Sequence, residues 1–274
     1  MEPNVIPLPI QIILTAIVAS ILAGVTCSLV GVFVVQMKLS SIGFCMSHAA
    51  FAGAALGLLL SVDPLLTALA FSSFVALILG PVSEKARLAP GVIIGIMFSL
   101  TMGLGFIFLN FTPGVAATQQ ALSILWGSIF SVTLDDLILL GLLTFFIVLL
   151  LTLFFKEFQA LMFNRKLAEA SGINTGLFYF LILFLVGVTV AFSLKLVGGL
   201  LVFALIVNPA SSALQFIYDI KRAVVASPII GAATCLLGFL LSLLLDFPIG
   251  SSIVIVSSFI FCLSVILSPK RRRG

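Results

Sequence analysis

The chain has 274 residues, 62% of them hydrophobic and 8% charged, with a mean hydropathy of +1.39. A soluble domain of that balance could not keep its surface hydrated, so the soluble classes are excluded. The net charge of +4 falls almost wholly between long apolar runs, so it calls for no nucleic acid and reads as membrane topology.

A bilayer core takes about 20 apolar residues per helix. Residues 10–35 supply the first run. No Lys or Arg precedes it and it is too long for a signal-peptide core, so it reads as a retained span. Runs at 42–60 and 65–82 follow, parted by the turn pair Asp63-Pro64, and 92–111 is the fourth. Residues 112–133 are uncharged until Thr133 and include Gln119-Gln120, Trp126, Gly127 and Ser128. Such a stretch predicts a short helix packed on the bundle, or a re-entrant piece buried in protein. The run 137–155 is the fifth.

Residues 156–172 then form the longest charged connection. Asn164 can cap a short helix beginning at Arg165-Lys166, and Gly172 can end it in the left-handed conformation. Phe158, Leu161, Met162 and Leu167 would give this segment apolar contacts. It is either a simple interfacial connector or a docking element for a cytoplasmic partner. Runs at 175–194, 196–217, 223–245 and 249–267 complete the chain, with only Lys195 marking the boundary between the first two. The fold class is therefore an all-α polytopic membrane protein of about eight or nine transmembrane helices. It forms one membrane unit over 1–274, with a basic tail at 269–274.

Orientation follows from the cations. If the N-terminus lies outside and every run crosses once, then Lys38, Lys85, Arg87, Lys156, Arg165, Lys166, Lys221, Arg222 and the run 270–273 share one side, and Lys195 alone lies opposite. The positive-inside rule makes that side cytoplasmic, the C-terminus included. The terminal basic run would sit against anionic lipid headgroups.

Chemistry inside the runs is sparse. The carboxylates lie at run ends or in loops, where a self-contained proton- or sodium-coupled carrier would not place them. Nothing matches G-x-x-x-x-G-K-[ST], so the chain has no phosphate-binding loop. No catalytic triad or HExxH pattern exists, which argues against an enzyme. Cys27, Cys45, Cys235 and Cys262 all fall within apolar runs and form no CxxC pair, so disulfides and zinc ribbons are not expected.

The exception opens the second run. His48 is the only histidine, and Cys45 lies three residues before it, on a neighbouring part of the same helix face. Imidazole and thiolate suit borderline and soft divalent metals. Either His48, with Cys45 and more remotely Met46, meets a metal ion, or His48 bonds a backbone carbonyl and packs its helix.

Four stretches in order resemble one family. Gly43-Phe44-Cys45-Met46-Ser47-His48-Ala49, continuing through Gly53 to Leu56, is similar to the pattern G-D-x-x-S-H-[AS]-x-x-x-G-x-x-[LA] of manganese/zinc-type ABC importer permeases. Leu125-Trp126-Gly127-Ser128-Ile129-Phe130-Ser131-Val132-Thr133 resembles that family's L-[FW]-G-x-[IL]-L-x-V-[ST] segment. Phe163 to Gly172, with Asn164 and Ala168, resembles its cytoplasmic F-D-P-x-x-A-x-x-x-G loop. Val197-Gly198-Gly199-Leu200-Leu201 through Asn208-Pro209-Ala210 resembles its V-G-x-L-L-[VL]-x-[AS]-L-[LI]-[IV]-x-P-A run. The chain departs from the pattern at Phe44, where the family has Asp. Asn164 and Arg165 replace Asp and Pro in the loop.

The resemblance implies a permease subunit in the cytoplasmic membrane of a prokaryote, working as a homodimer with the path at its interface. It implies a separate cytoplasmic ATPase, an extracytoplasmic metal-binding protein, and a divalent metal ion as cargo, with no permanently bound cofactor. Phe163, Asn164, Ala168 and Gly172 would couple to the ATPase, and His48 and Cys45 would line the path. A self-contained carrier or channel is the alternative.

Overall fold

The computed structural model describes residues 10–86, 88–112, 127, 129 and 132–269. Among these are eleven helices and no strand: α1 (Ile10–Gln36), α2 (Ile42–Leu60), α3 (Pro64–Ala86), α4 (Pro90–Phe111), α5 (Leu134–Leu153), α6 (Phe155–Phe163), α7 (Arg165–Ala170), α8 (Thr175–Val197), α9 (Gly199–Phe216), α10 (Ile220–Leu245) and α11 (Ile249–Leu267). Most of the predicted short helix or re-entrant piece at 112–133 lies outside the described residues.

Helix starts follow side-chain chemistry. Asp63 Oδ1 accepts from the Leu65 and Leu66 amides at 2.8 and 3.0 Å, with Pro64 at the first helical position where no amide is needed. Thr133 and Asp136 close a capping box on α5, and Asn174 and Asp219 cap α8 and α10.

Eight helices are long and apolar enough to cross a membrane; α9 carries a shorter apolar stretch, Leu201–Phe216. One expected boundary is corrected. The apolar span is Thr175–Leu194 as expected, but Lys195 does not end the helix, because α8 continues to Val197. The break comes at Gly198, whose φ of 83° is open to glycine and strained for other residues. Lysine is a good helix former, so its charge alone cannot terminate a helix. The seventh run is thus a helix of 18 residues starting at Gly199, not at Leu196.

The bundle is organised around α1, α2 and α8, the most buried of the long helices. Lipid tails are as apolar as leucine, so helices in a bilayer are held by close packing and hydrogen bonds. On α1, small residues serve that need. A methyl at Gly24 would stand 2.7 Å from the Gly231 carbonyl oxygen, and one at Gly231 would stand 2.5 Å from that of Gly24. A methyl at Gly31 would overlap the Ile206 carbonyl oxygen of α9. Ser227 Oγ of α10 donates to the Ser28 carbonyl of α1 at 2.8 Å, beside the Gly24–Gly231 approach.

Other buried hydroxyls bridge neighbours too. Thr26 and Thr144 meet at 2.6 Å between α1 and α5. Ser72 donates to the Gly187 carbonyl at 3.4 Å, and Ser268 to that of Gln215 at 3.0 Å. Thr26, Thr144 and Ser72 also reach a carbonyl one turn earlier in their own helix, whereas the buried Thr189 and Ser257 hydroxyls have no hydrogen-bond partner.

Gly31→Ala should destabilise the chain by about 1–3 kcal/mol or more, the cost of overpacking against a backbone that cannot yield. Gly141→Ala, whose new methyl would meet only Leu22 at 4.0 Å, should leave stability unchanged. Thermal unfolding in detergent compares the two. Cysteines placed at the exposed Val62 and Lys166 should react with an impermeant reagent from opposite faces of the membrane, as the charge asymmetry requires.

Candidate functional site

The first turns of α2 place Phe44 and His48 one turn apart on the same face. His48 is 8% exposed, and its Nδ1 lies 2.9 Å from the Phe44 carbonyl oxygen. A carbonyl oxygen only accepts, so Nδ1 carries the proton and Nε2 keeps its lone pair. The backbone bond expected of a packing histidine is present. It is also the bond that orients an imidazole for a metal, because it fixes the tautomer and the ring plane.

Phenylalanines surround the ring. The Phe44 ring lies 4.6 Å from the imidazole and the Phe98 ring, from α4, 4.7 Å, both at steep angles. Phe203 of α9 stands 5.8 Å from Phe44. All three are partly exposed. Helices α4 and α9 both pack on α2 far more than on each other, so these side chains sit where α2 floors the space between them. At the start of α9, Ser47 Oγ donates to the Gly43 carbonyl at 2.8 Å and reaches that of Gly199 at 3.3 Å.

Cys45 and Met46 are fully buried in the main core. Among the described residues no three of His, Cys, Asp and Glu converge, so His48 and Cys45 do not belong to a closed metal cage. The other three cysteines are likewise free thiols, Cys27 and Cys235 buried and Cys262 exposed. Phe98 and Phe203 were not legible as site residues: they come from helices remote in sequence, and phenylalanine is everywhere in this chain, with 26 copies.

The second candidate region is the connection from α5 to α8. Helix α6 buries Phe158 between Phe33 of α1 and Phe178 of α8, with ring centroids at 5.6 and 5.5 Å. Asn164 then breaks the chain and caps α7, its Oδ1 accepting from the Leu167 amide at 3.2 Å. Gly172 takes φ 82°, the left-handed conformation expected for it, in the turn after α7. Phe163 is 81% exposed, and Leu167, expected to make apolar contacts, is 57% exposed. Ala168 is buried within its own chain. Of the four loop residues singled out in the sequence, Phe163, Asn164 and Gly172 lie at the surface and Ala168 does not.

A polar clasp fixes α7 to α8. The Thr175 hydroxyl donates to Glu169 Oε1, Arg165 Nε reaches the same oxygen at 3.3 Å, and the Arg165 guanidinium lies 5.6 Å from the centre of the Tyr179 ring. The Thr175 hydrogen bond, helped by the Arg165 and Lys166 charges, holds the Glu169 carboxyl below the ordinary glutamate range. A depressed carboxylate contributes stability that is full above its unfolded value and is lost as pH falls through the folded one. On acidification, hydrogen exchange at α7 should therefore rise only once pH drops below the ordinary glutamate range. In Thr175→Val, which lacks the donor, that rise should begin at higher pH.

Residues 9–268 match the ABC 3 transport family. The chain is 30% identical over 257 residues to the manganese transport system membrane protein MntC of Listeria monocytogenes, covering 93% of this chain and 90% of that one. It is 27% identical over 255 residues to the high-affinity zinc uptake system membrane protein ZnuB of Haemophilus influenzae, covering 93% and 97%. The solved structure of PsaBC from Streptococcus pneumoniae in complex with Fab matches with a TM-score of 0.84 at 26% identity, covering 96% of this chain and 94% of that one.

Proposed function

This chain belongs to the ABC 3 transport family, and from that premise we propose that it is the permease subunit of an ATP-driven importer of a divalent transition metal ion, zinc or manganese. The relatives named for manganese and for zinc transport support the ion class. The observation that carries the reading is His48: a buried imidazole on α2, tethered through Nδ1, with the lone pair of Nε2 left to bind a cation. Ionisable side chains are rare within membrane helices and mark ion pathways there.

One imidazole does not surround a metal ion. The path therefore runs at the interface of two copies, where His48 holds the ion transiently and lets it go. A permanent site would trap the cargo; conduction needs binding weak enough to release it. Cys45 stands beside the path as a weaker candidate.

Energy comes from a separate chain, since this one has no phosphate-binding loop. The cytoplasmic ATPase docks on the exposed Phe163 and Leu167, around the Asn164 cap and the Gly172 turn. Ala168 lets α7 lie flat on its own chain. When the ATPase pair closes and opens, α7 moves with α8 through the Glu169–Thr175 clasp, and Phe158 carries the same motion to α1. Helix α8 ends at Gly198, and the next residue touches Ser47, one residue from His48. An extracytoplasmic metal-binding protein delivers the ion from the N-terminal side, and the C-terminal tail lies in the cytoplasm.

Vesicle uptake with a reconstituted complex, tested ion by ion, examines this reading. The isolated chain should neither hydrolyse ATP nor accumulate metal, and the complex with its ATPase should do both. His48→Ala should lower uptake per assembled complex by about tenfold or more, since even losses behind a metal ligand cost that much. Accumulation driven by an ion gradient in the isolated chain would overturn the importer, and normal uptake by His48→Ala would remove this residue from the mechanism.

A further inference from the structure

We propose that Asn208 of α9, with the Ser258 hydroxyl of α11 beside it, forms a second stop for the divalent cation, between His48 and the cytoplasm. The inference rests on the transport reading above and adds a step to its path.

Asn208 is an amide within an apolar helix, and most of its hydrogen bonds are unmade. One face of α9 is partly exposed, made by Phe203, Val207, Asn208, Ser211 and Gln215. Phe203 joins that face to the His48 cluster, since its ring stands 5.8 Å from that of Phe44. From there the face runs to the end of α9, which precedes Lys221 and Arg222 and so lies on the cytoplasmic side by the charge rule. Helix α11 runs beside it in the same direction, as the pairs Asn208–Ser258 and Gln215–Ser268 show. Asn208 Nδ2 donates to Ser258 Oγ at 3.4 Å, a long bond. Among the described residues, the Asn208 amide oxygen and the Ser211 hydroxyl have no partner. Pro209 has no amide hydrogen, so the Leu205 carbonyl also lacks its helical donor.

Lipid cannot satisfy an amide, and leaving one unpaired in an apolar setting is costly. Water and a hydrated cation can satisfy it. The row of oxygens from Leu205 to Ser211 therefore belongs on the path, on the same open face as Phe203. Its ligands are neutral. Amide, carbonyl and hydroxyl oxygens hold a divalent ion, directly or through its hydration water, and affinity at such oxygen sites falls as ligand charge falls. A weak stop after His48 suits conduction, which needs several sites that each let go.

The test uses the complete transport complex in vesicles, with zinc or manganese as the probe. Asn208→Leu should lower uptake per assembled complex by about tenfold, the scale of one lost hydrogen bond to a charged group, with thermal unfolding unchanged or shifted upward. Asn208→Gln, which keeps the amide, should retain most of the uptake. The exposed Cys262 thiol is first removed as Cys262→Ser. In that background Asn208→Cys and Ser211→Cys should react with a small hydrophilic thiol reagent, and either metal should slow the reaction. Ile229→Cys, at an exposed aliphatic position on α10, is the lipid-facing control and should not react. If neither Asn208→Cys nor Ser211→Cys reacts, the row faces lipid or a closed contact between copies, and the second stop is overturned. Normal uptake by Asn208→Leu, or a loss of uptake matched by a loss of thermal stability, overturns it too. An unsubstituted complex that accumulates neither ion would instead overturn the transport reading on which it stands.

Discussion

The close approach of α1 to α10 and α9, backbone against backbone at Gly24, Ser28 and Gly31, is the constraint on which the rest depends. Without a hydrophobic driving force between helices in lipid, only short distances and shared hydrogen bonds hold a bundle together. Gly24 and Gly231 can each approach the other's carbonyl because neither carries a side chain, and Ser227 completes the seam with a bond to Ser28. The same face of α1, one turn on, admits the Ile206 carbonyl of α9. Helix α9 is thereby drawn against the centre of the bundle, and its first residue comes to rest beside Ser47 of α2.

That placement explains why one region of α2 differs chemically from all the other spans. Elsewhere the described interior is mostly aliphatic and aromatic side chains with hydroxyls, many of which donate to backbone carbonyls. At the start of α2, the ends of two long helices and the short α9 meet, and an imidazole occupies the junction with one nitrogen committed to Phe44. The aromatic rings around it limit water and offer no competing ligand.

Two different contacts tie the α5–α8 connection to the bundle. Phe158 is wedged between α1 and α8, an apolar contact that resists separation. Glu169, Thr175 and Arg165 form a charged clasp at the surface, exposed and therefore modest in strength. The apolar wedge is buried and the polar clasp lies at the surface, with Phe163 exposed between them in the chain.

Much of this was determined by sequence alone. Apolar run length gave the helices, because the bilayer leaves the backbone no alternative to internal hydrogen bonds; the bounds of α2 and α11 agree to the residue. The Asn164 cap and the left-handed Gly172 were legible because both are local rules involving a few adjacent residues. His48 stood out because it is the chain's single histidine. Only the tertiary structure could decide the rest. Lys195 looked like a boundary because it is charged, yet Gly198 ends the helix, since backbone conformation overrules charge there. The burial of Ala168 against its own chain depends on how α7 packs, which local sequence rules do not specify. Phe98 and Phe203 became neighbours of the His48 cluster through packing of α4 and α9 on α2, and contacts between segments far apart in sequence leave no periodic signal in a chain where nearly every position is apolar.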